Sequence, residues 1–438
     1  MIQNGFIAPG PTTTTLPHML TSPATIDDVV QTGLCIGCGI CTHSSAIGQM
    51  RYSASRAQFV PVLDSDNRHD SLAYALCPGK GYPIVRDSKE LFESTPYDQE
   101  LGHVYSCCAA VSTDKEILAN ASSGGVMSHI AIYLLEQKIV DSVVVTHFVY
   151  GDAPRAVCTL ARSRSEILNS QGSKYCPVDL SAAINEIRLR EERVAVLGTP
   201  CQIAGIRNIQ KNDPSFARKV VLTVGNFCGG VKDYDNVDLL ARHHGVNPRT
   251  ITAFAFRGNG QPGRMLIEDV SGKRVEVPYP AYNGHTGISK HLRCHLCVDA
   301  TGELADIACG DAWLPRFQKQ EKPWSIIITR TKRAAEIVDA MENSGLFTTA
   351  PISLDEVKRS QKENLHSKKV RQKSRRHLYR LLGWSVPSFD GGFRDNAITL
   401  RTEIEVLVKH RVKRFLERLR VYYPAYRLFK QWPRTLRK

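Results

Sequence analysis

Three cysteines spaced two residues apart, in Gly33-Leu-Cys35-Ile-Gly-Cys38-Gly-Ile-Cys41-Thr42, constrain this chain more than any other feature. A CxxCxxC run puts three thiolates on one tight turn, which suits three corners of a cubane iron–sulfur cluster. Gly37 and Gly39 let the backbone bend around such a cluster and aim amides at its sulfurs. The fourth thiolate must come from elsewhere. Cys77, followed by Pro78 as the remote ligand of bacterial ferredoxin runs often is, is the first choice, and the adjacent Cys107 and Cys108 compete with it. Zinc prefers pairs of CxxC, so the third cysteine fits it poorly.

The chain has 13 cysteines in 438 residues. Its N-terminus lacks a basic segment followed by an apolar core, so no secretory signal is read and a cytoplasmic location is expected. Clustered cysteines in a reducing compartment bind metal more often than they form disulfides. No apolar run approaches the roughly 18 residues of a membrane-spanning helix. The net charge of +14 is unevenly placed. Residues 358–438 hold 23 Lys or Arg against six Asp or Glu, a balance of +17, which leaves −3 for residues 1–357. A fold-wide nucleic-acid surface is not expected on such a body.

A second group is assembled from scattered cysteines. Cys294 and Cys297 form an isolated CxxC. Cys201 follows a predicted strand, Val194–Leu197, and Cys228 follows another, Val220–Val224. If these strands are parallel and joined by a helix over Gln202–Gln210, both cysteines lie at the carboxyl edge of one sheet, where α/β proteins place ligands. The CxxC loop could close over them to complete a site of four thiolates. Bland alternatives remain: Cys201 and Cys228 as small buried hydrophobes, and a redox CxxC. Cys309 is a spare ligand, and Cys158 and Cys176 read as structural.

The chain divides into a disordered lead-in (1–30), a ferredoxin-like 4Fe-4S module (31–95) held together largely by its metal, an α/β mixed-sheet domain (100–350) and a basic helical tail (351–438). In the α/β domain, Asn120-Ala-Ser122-Ser123-Gly124-Gly125 stands directly before a predicted helix over Gly125–Gln137. Hydroxyls, glycine amides and a helix N-terminus together suit a phosphate, although simple capping needs only one Ser. Ser170-Gln-Gly172-Ser173-Lys174-Tyr175 adds a cation and an aromatic ring on a small turn. Phe256-Arg257-Gly258 and Gly310-Asp311-Ala312-Trp313 add further small, charged and aromatic residues. No GxGxxG follows a strand, so a Rossmann site has little support.

Taken in order, CIGCGIC, ASSGG, GSKY, GTPCQIAGIR, FCGG, RCHLCVDATGELADIACGDAW and SIIITRT resemble the coenzyme F420 hydrogenase/dehydrogenase beta-subunit family. The likeness runs from about Thr32 to about Thr331. That family also looks like the home of ferredoxin-dependent chlorophyll-pathway reductases and of proteins found with polysaccharide-synthesis genes. The resemblance implies FAD and iron–sulfur clusters, which together with the cysteine spacing gives an expected count of two 4Fe-4S clusters. It maps flavin contacts onto Ser122, Ser123, Gly124, Gly125, Ser173, Lys174 and Tyr175, with Gly172 in the same turn. It maps ligands of the second cluster onto Cys201, Cys228, Cys294 and Cys297.

The expected function is an oxidoreductase passing electrons between ferredoxin, or a similar acidic carrier, and a small organic or sugar-type substrate. Electrons would cross the Cys35–Cys77 cluster, the second cluster and FAD. The alternatives are an F420-dependent hydride-transfer subunit, with coenzyme F420 as substrate, and a redox-sensing or scaffold protein without turnover. Lys174 is the candidate for stabilising negative charge on reduced flavin. Asp311 is the candidate proton donor, although an Asp beside Gly is commonly a turn residue. The tail, with Ser367–Arg380 densely basic and aromatics from Phe415 to Phe429, reads as a solvated helix, a contact with an anionic membrane face or a dock for an acidic carrier. Pro424 should bend any helix there.

Overall fold

The computed structural model describes residues 22–258, 263–279, 281–282, 290–320, 322–394 and 400–418. Its centre is an eight-stranded mixed sheet. In chain order the strands are β1 (Ser106–Ser112), β2 (Ser142–Val149), β3 (Arg155–Ala161), β4 (Val194–Gly198), β5 (Val220–Asn226), β6 (Ile307–Asp311), β7 (Ser325–Thr329) and β8 (Phe347–Pro351). They lie side by side as β8-β1-β7-β6-β5-β4-β2-β3. Four neighbours, β6, β5, β4 and β2, run parallel, and the remaining pairings are antiparallel.

The sequence explains the layers. Apolar runs such as Val143-Val144-Val145 and Ile326-Ile327-Ile328 are buried throughout, as strands covered on both faces must be. Successive side chains of β2 serve opposite cores. Val143 and Val145 pack with Val126, Ile130 and Leu134 of helix α1 (Val126–Glu136), while Val144 packs with Ile203 and Ile206 of helix α2 (Pro200–Asn212). Helix α2 starts sharply after β4. Thr199 and Gln202 form a capping box and Pro200 occupies the first turn, which seats Cys201 at the helix entrance.

Three expectations need correction. The lead-in does not extend to residue 30: Ile26–Gln31 is a helix capped by Thr25, with Ile26, Val29 and Val30 buried. Residues 1–21 lie outside the described residues. The module at 31–95 is not held by its cysteines alone. Ile36, Ile40, Leu76, Tyr82 and Ile84 share one apolar core with the central sheet and α2.

The basic tail is not a solvated appendage over its first half. Leu354–Ser360 and Gln372–Leu381 are helices folded onto the body, and Lys368, Lys369, Arg375 and Arg376 are buried. Buried carboxylates draw them in. Glu303 takes Lys369, and Glu403 on the helix Leu400–Arg418 accepts from Arg371 and Arg375. The segment from Leu419 onward, with Tyr422, Tyr423, Pro424, Tyr426 and Phe429, lies outside the described residues. Among the described residues no helix is long and apolar enough to cross a membrane.

Candidate functional site: two cysteine groups and an aromatic cleft

Cys35, Cys38, Cys41 and Cys77 come together beneath the surface. The loop follows from its glycines. Gly37 and Gly39 have φ of 66° and 73°, which favour glycine. A Cβ at Gly39 would run into Asp179 Oδ1 and lie 2.7 Å from the Ser181 amide. Backbone N–H groups point at the sulfurs: that of Gly37 at Cys35, that of Ile40 at Cys38, and those of Gly79 and Lys80 at Cys77. Burial pushes the Cys35 thiol up to about 12 and the Cys38 and Cys41 thiols well above their ordinary range, and the charge of Cys77 adds to each. Four crowded thiols with amides aimed at their sulfurs form a donor set that becomes stable when a cation shares the charge. Gly39→Ala should destabilise the protein by at least about 1 kcal/mol from its left-handed backbone alone, and should lower bound iron; urea unfolding and an iron assay on the same sample check both.

The second group forms as the strand pattern implies. β4 and β5 are parallel, with Gly198 beside Gly225, and both chains leave the same edge of the sheet carrying Cys201 and Cys228. The short helix Leu292–His295 brings Cys294 and Cys297 over that edge. The Val231 amide lies 3.4 Å from Cys294 Sγ, and a Cβ on Gly230 would lie 3.0 Å from Cys294 Cβ. Burial raises the Cys201 thiol to about 12, with Cys228, Cys297 and Cys294 each adding to it. Cys297 behaves differently: burial works against its ionisation, yet Lys368 and Arg293 draw it below the ordinary thiol range.

Among the described residues, no three His, Cys, Asp or Glu side chains close on a point as the ligands of one ion must. Within each group the thiols lie near enough for their charges to act on one another.

Arg293 joins the two groups. Its side chain is buried, and it donates to Pro78 O at 3.0 Å and Gly79 O at 2.9 Å, in the loop that follows Cys77, while its own neighbour is Cys294. Helix α2 adds a second link. Its first turn holds Cys201, its Gly205 lies against Ile40 of the first cysteine loop, and Asn208 donates to Leu76 O at 3.1 Å. Sequence reading missed Arg293 as a functional group. A charged residue directly preceding a CxxC was the available signal.

The remaining cysteines are elsewhere. Cys107 and Cys108 sit on β1 opposite Ile328 and Ile327, and Cys107 Sγ donates to Ile352 O, so neither competes with Cys77. Cys309 lies on β6 within the apolar core that holds Val224 and Ile327, so the ligand exchange considered for it is not favoured by its position. Cys158 and Cys176 are core residues.

The segments read as flavin candidates converge. Ser122 Oγ donates to Arg257 O at 2.9 Å and accepts from the Ser173 hydroxyl at 3.1 Å. Arg257 pairs with Asp311 at 2.6 Å and lies over the rings of Tyr279 and Trp313. Asp311 thus spends its carboxylate on Arg257 rather than standing free to donate a proton. Ser123 donates to Trp324 O, and the Gly124 amide donates to Ser325 Oγ, so part of this loop's capacity is used internally.

Beside it opens a cleft of about 520 Å³, lined by Gly172, Ser173 and Lys174 on one side and by His147, Phe148 and Phe254 on the other. Phe148 and Phe254, which meet edge to face, line it and are backed by Phe256 and, behind that, Tyr175, which gives the cleft an aromatic surface that a ring system could contact. Ser122–Gly125 do not line this cleft; Ser122 is bonded to the turn that does. Burial lowers the Lys174 ammonium to about 8. The cleft is also tied to the second cysteine group, because Tyr175 O accepts from the Lys232 amide at 3.0 Å, four residues beyond Cys228.

Comparison with known proteins gives this arrangement a setting. The sequence pattern described as "Coenzyme F420 hydrogenase/dehydrogenase, beta subunit N-term" matches residues 107–185, and its counterpart for the C terminus of the same proteins matches residues 191–355. A coenzyme F420 hydrogenase subunit beta of Methanosarcina barkeri is 30% identical over 276 residues, which is 60% of this chain and 86% of that relative. A coenzyme F420-dependent sulfite reductase of Methanocaldococcus jannaschii is 25% identical over 332 residues, 72% of this chain and 47% of that protein. A chain of the F420-reducing [NiFe] hydrogenase complex from Methanosarcina barkeri superposes with a TM-score of 0.52 at 27% identity, covering 68% of this chain and 99% of that one.

Proposed function

This chain belongs to the coenzyme F420 hydrogenase/dehydrogenase beta-subunit family and is an oxidoreductase, and on that premise we propose that it is an iron–sulfur flavoprotein linking a one-electron carrier to a hydride-exchanging substrate. The observation that carries this reading is continuity. The loop after Cys77 touches Arg293, Arg293 adjoins Cys294, and the Cys228 loop is hydrogen-bonded to Tyr175 at the cleft. Bound there, FAD would supply the exchange between two-electron and one-electron chemistry, and two 4Fe-4S clusters would supply one-electron storage.

The protein's own residues would do the rest. Cys35, Cys38, Cys41 and Cys77 hold one cluster, and Cys201, Cys228, Cys294 and Cys297 the other. Phe148 and Phe254 would exclude water from one side of a bound ring. Lys174, on the cleft's edge, holds a positive charge at neutral pH where an anionic ring or phosphate would lie. The names of the relatives favour coenzyme F420 at the cleft. The CxxCxxC run of the first cysteine group, of the kind bacterial ferredoxins carry, favours a one-electron carrier such as ferredoxin at that end. The two readings are then the two ends of one route. A small organic or sugar-type substrate takes the place of F420 if the deazaflavin is not turned over.

Anaerobic purification with iron, sulfide and flavin assays tests the proposal. About eight iron and one FAD per chain are expected; zinc in place of iron overturns it. The cleft gives a pH test. A lysine lowered to about 8 loses its charge as the pH rises past that value. FAD binding, followed by flavin fluorescence, should weaken between pH 7 and pH 9 in the wild type. In Lys174→Met it should be weaker at pH 7 and nearly flat across the same range.

A further inference from the structure

Lys368 lies beyond the span that the family pattern matches, which ends at residue 355. Its segment, His366–Val370, is a π turn inserted between helical stretches, a local irregularity that often marks a functional position. That turn presents two consecutive lysines to the interior, both almost fully buried. Lys369 is answered by Glu303, with Nζ and Oε1 2.5 Å apart. Lys368 is not answered in the same way. Among the described residues no carboxylate lies within ion-pair range of it. Its Nζ donates to Asp299 O at 2.6 Å and to Cys297 Sγ at 3.5 Å. The Asp299 carboxylate, whose field also reaches Lys368, is bonded to the amides of Gly302 and Glu303.

A buried ammonium without a counter-charge is costly, and such groups persist only where negative charge is nearby. Four thiolates sharing one cluster are such a charge. The first cysteine group has a different setting. Asp179 adds negative charge beside Cys35 and Cys41, Lys80 and Arg56 are its half-buried cations, and the buried Arg293 acts on Cys77 as well as on Cys294 and Cys297, so the lysine is the buried cation that the second group does not share. Cluster potential follows net charge, hydrogen bonds to sulfur and exposure. A fully buried cation therefore favours the reduced, more negative state of the site it touches.

We propose that Lys368 is a positioning residue for the charge of a cluster held by Cys201, Cys228, Cys294 and Cys297, and that it keeps this second site at a higher reduction potential than the first. The order is downhill from the Cys35–Cys77 site toward the cleft. This rests on the iron–sulfur reading above and deepens it by giving the chain a preferred direction.

The test is a redox titration of the anaerobically prepared full-length protein, followed by low-temperature electron spin resonance. In Lys368→Gln, which keeps a hydrogen-bond donor and removes the charge, iron should stay at about eight per chain. One of two reduction waves should move to more negative potential by about tenfold in its equilibrium constant, or about 59 mV for a one-electron couple. The other wave should stay, and Lys368→Arg should restore the first. Two unmoved waves in iron-replete Lys368→Gln overturn the proposal. A measurement without any Lys368 variant decides it as well. The wave that survives in Cys38→Ser should be the higher of the two wild-type waves, and the proposal fails if it is the lower. Iron near four in the wild type overturns the two-cluster reading itself, a failure distinct from an unmoved wave.

Discussion

Replacing Cys38 by Ser should lower the iron of the anaerobically isolated protein from about eight to about four per chain while leaving FAD bound. Cys38 is buried in the first cysteine loop, its sulfur faced by the Ile40 amide. Serine offers an alkoxide only far above neutral pH, so one corner of that cluster loses its ligand. The second site is built from other parts of the chain: the ends of β4 and β5 and the Leu292–His295 turn. The cleft draws on residues 147–174 and Phe254. Neither shares a cysteine with the first group.

The variant should also remain folded. Ile36, Ile40, Leu76 and Tyr82 anchor the module in the main apolar core whether or not the cluster is present. Burying each such side chain contributes on the order of 1.5–3 kcal/mol. Iron and sulfide assays, flavin absorbance and a thermal melt on one preparation decide the matter. Loss of all iron from Cys38→Ser would contradict the independence of the two sites. It would mean that the Arg293 contacts to Pro78 and Gly79 are needed to hold Cys294 and Cys297 in place.

Much of this architecture was legible because it depends on short-range pattern. The valine runs of β2 and β4, the Pro200 start of α2 and the CxxCxxC loop all declare themselves within a few residues. From two strands and one helix it followed that Cys201 and Cys228 would share a sheet edge, and they do. Strand β1 was missed because Ser106-Cys-Cys-Ala-Ala-Val-Ser112 is made of small residues with little β signature. Its place between β7 and β8 is fixed by pairing, not propensity.

The flavin candidates were visible only as fragments. Nothing local announces that Arg257 would tie Ser122, Ser173 and Asp311 together across more than fifty residues of chain. The first half of the tail was read as more solvated than it is. A count of Lys and Arg separates basic from acidic segments, but it is blind to which ammonium groups meet a buried carboxylate. Lys369 finds Glu303 at a separation of 66 residues, and Arg375 finds Glu403 at 28. Lys368 and Arg293 were hidden for the same reason, since their partners are a distant thiol and a distant loop.

Lys369→Met is expected to cost the protein about 1.4 kcal/mol more stability at pH 8 than at pH 5.5, one pH unit beyond the folded titration of the Glu303 carboxyl that the lysine answers. Glu303 is fully buried against Gly102, and burial pushes its carboxyl up to about 7 even with Lys369 and Arg330 pulling it down. In the unfolded chain the same group titrates near 4.5. Between those two values the folded protein binds more protons than the unfolded one, so the stability contributed by Glu303 falls as the pH rises through that window. Without Lys369 the carboxyl moves up further, and the window extends above pH 7. The charge-dependent deficit of Lys369→Met relative to wild type should therefore be absent near pH 5, where Glu303 is neutral in both folded proteins, and should open as the pH rises past about 7. Glu303→Gln placed on top of Lys369→Met removes the stranded charge and should recover most of the loss. Urea unfolding of the three proteins at pH 5.5 and pH 8 measures both effects. A deficit equal at the two pH values, or a double variant no more stable than Lys369→Met, would show that the lysine acts through packing and not through the charge of Glu303.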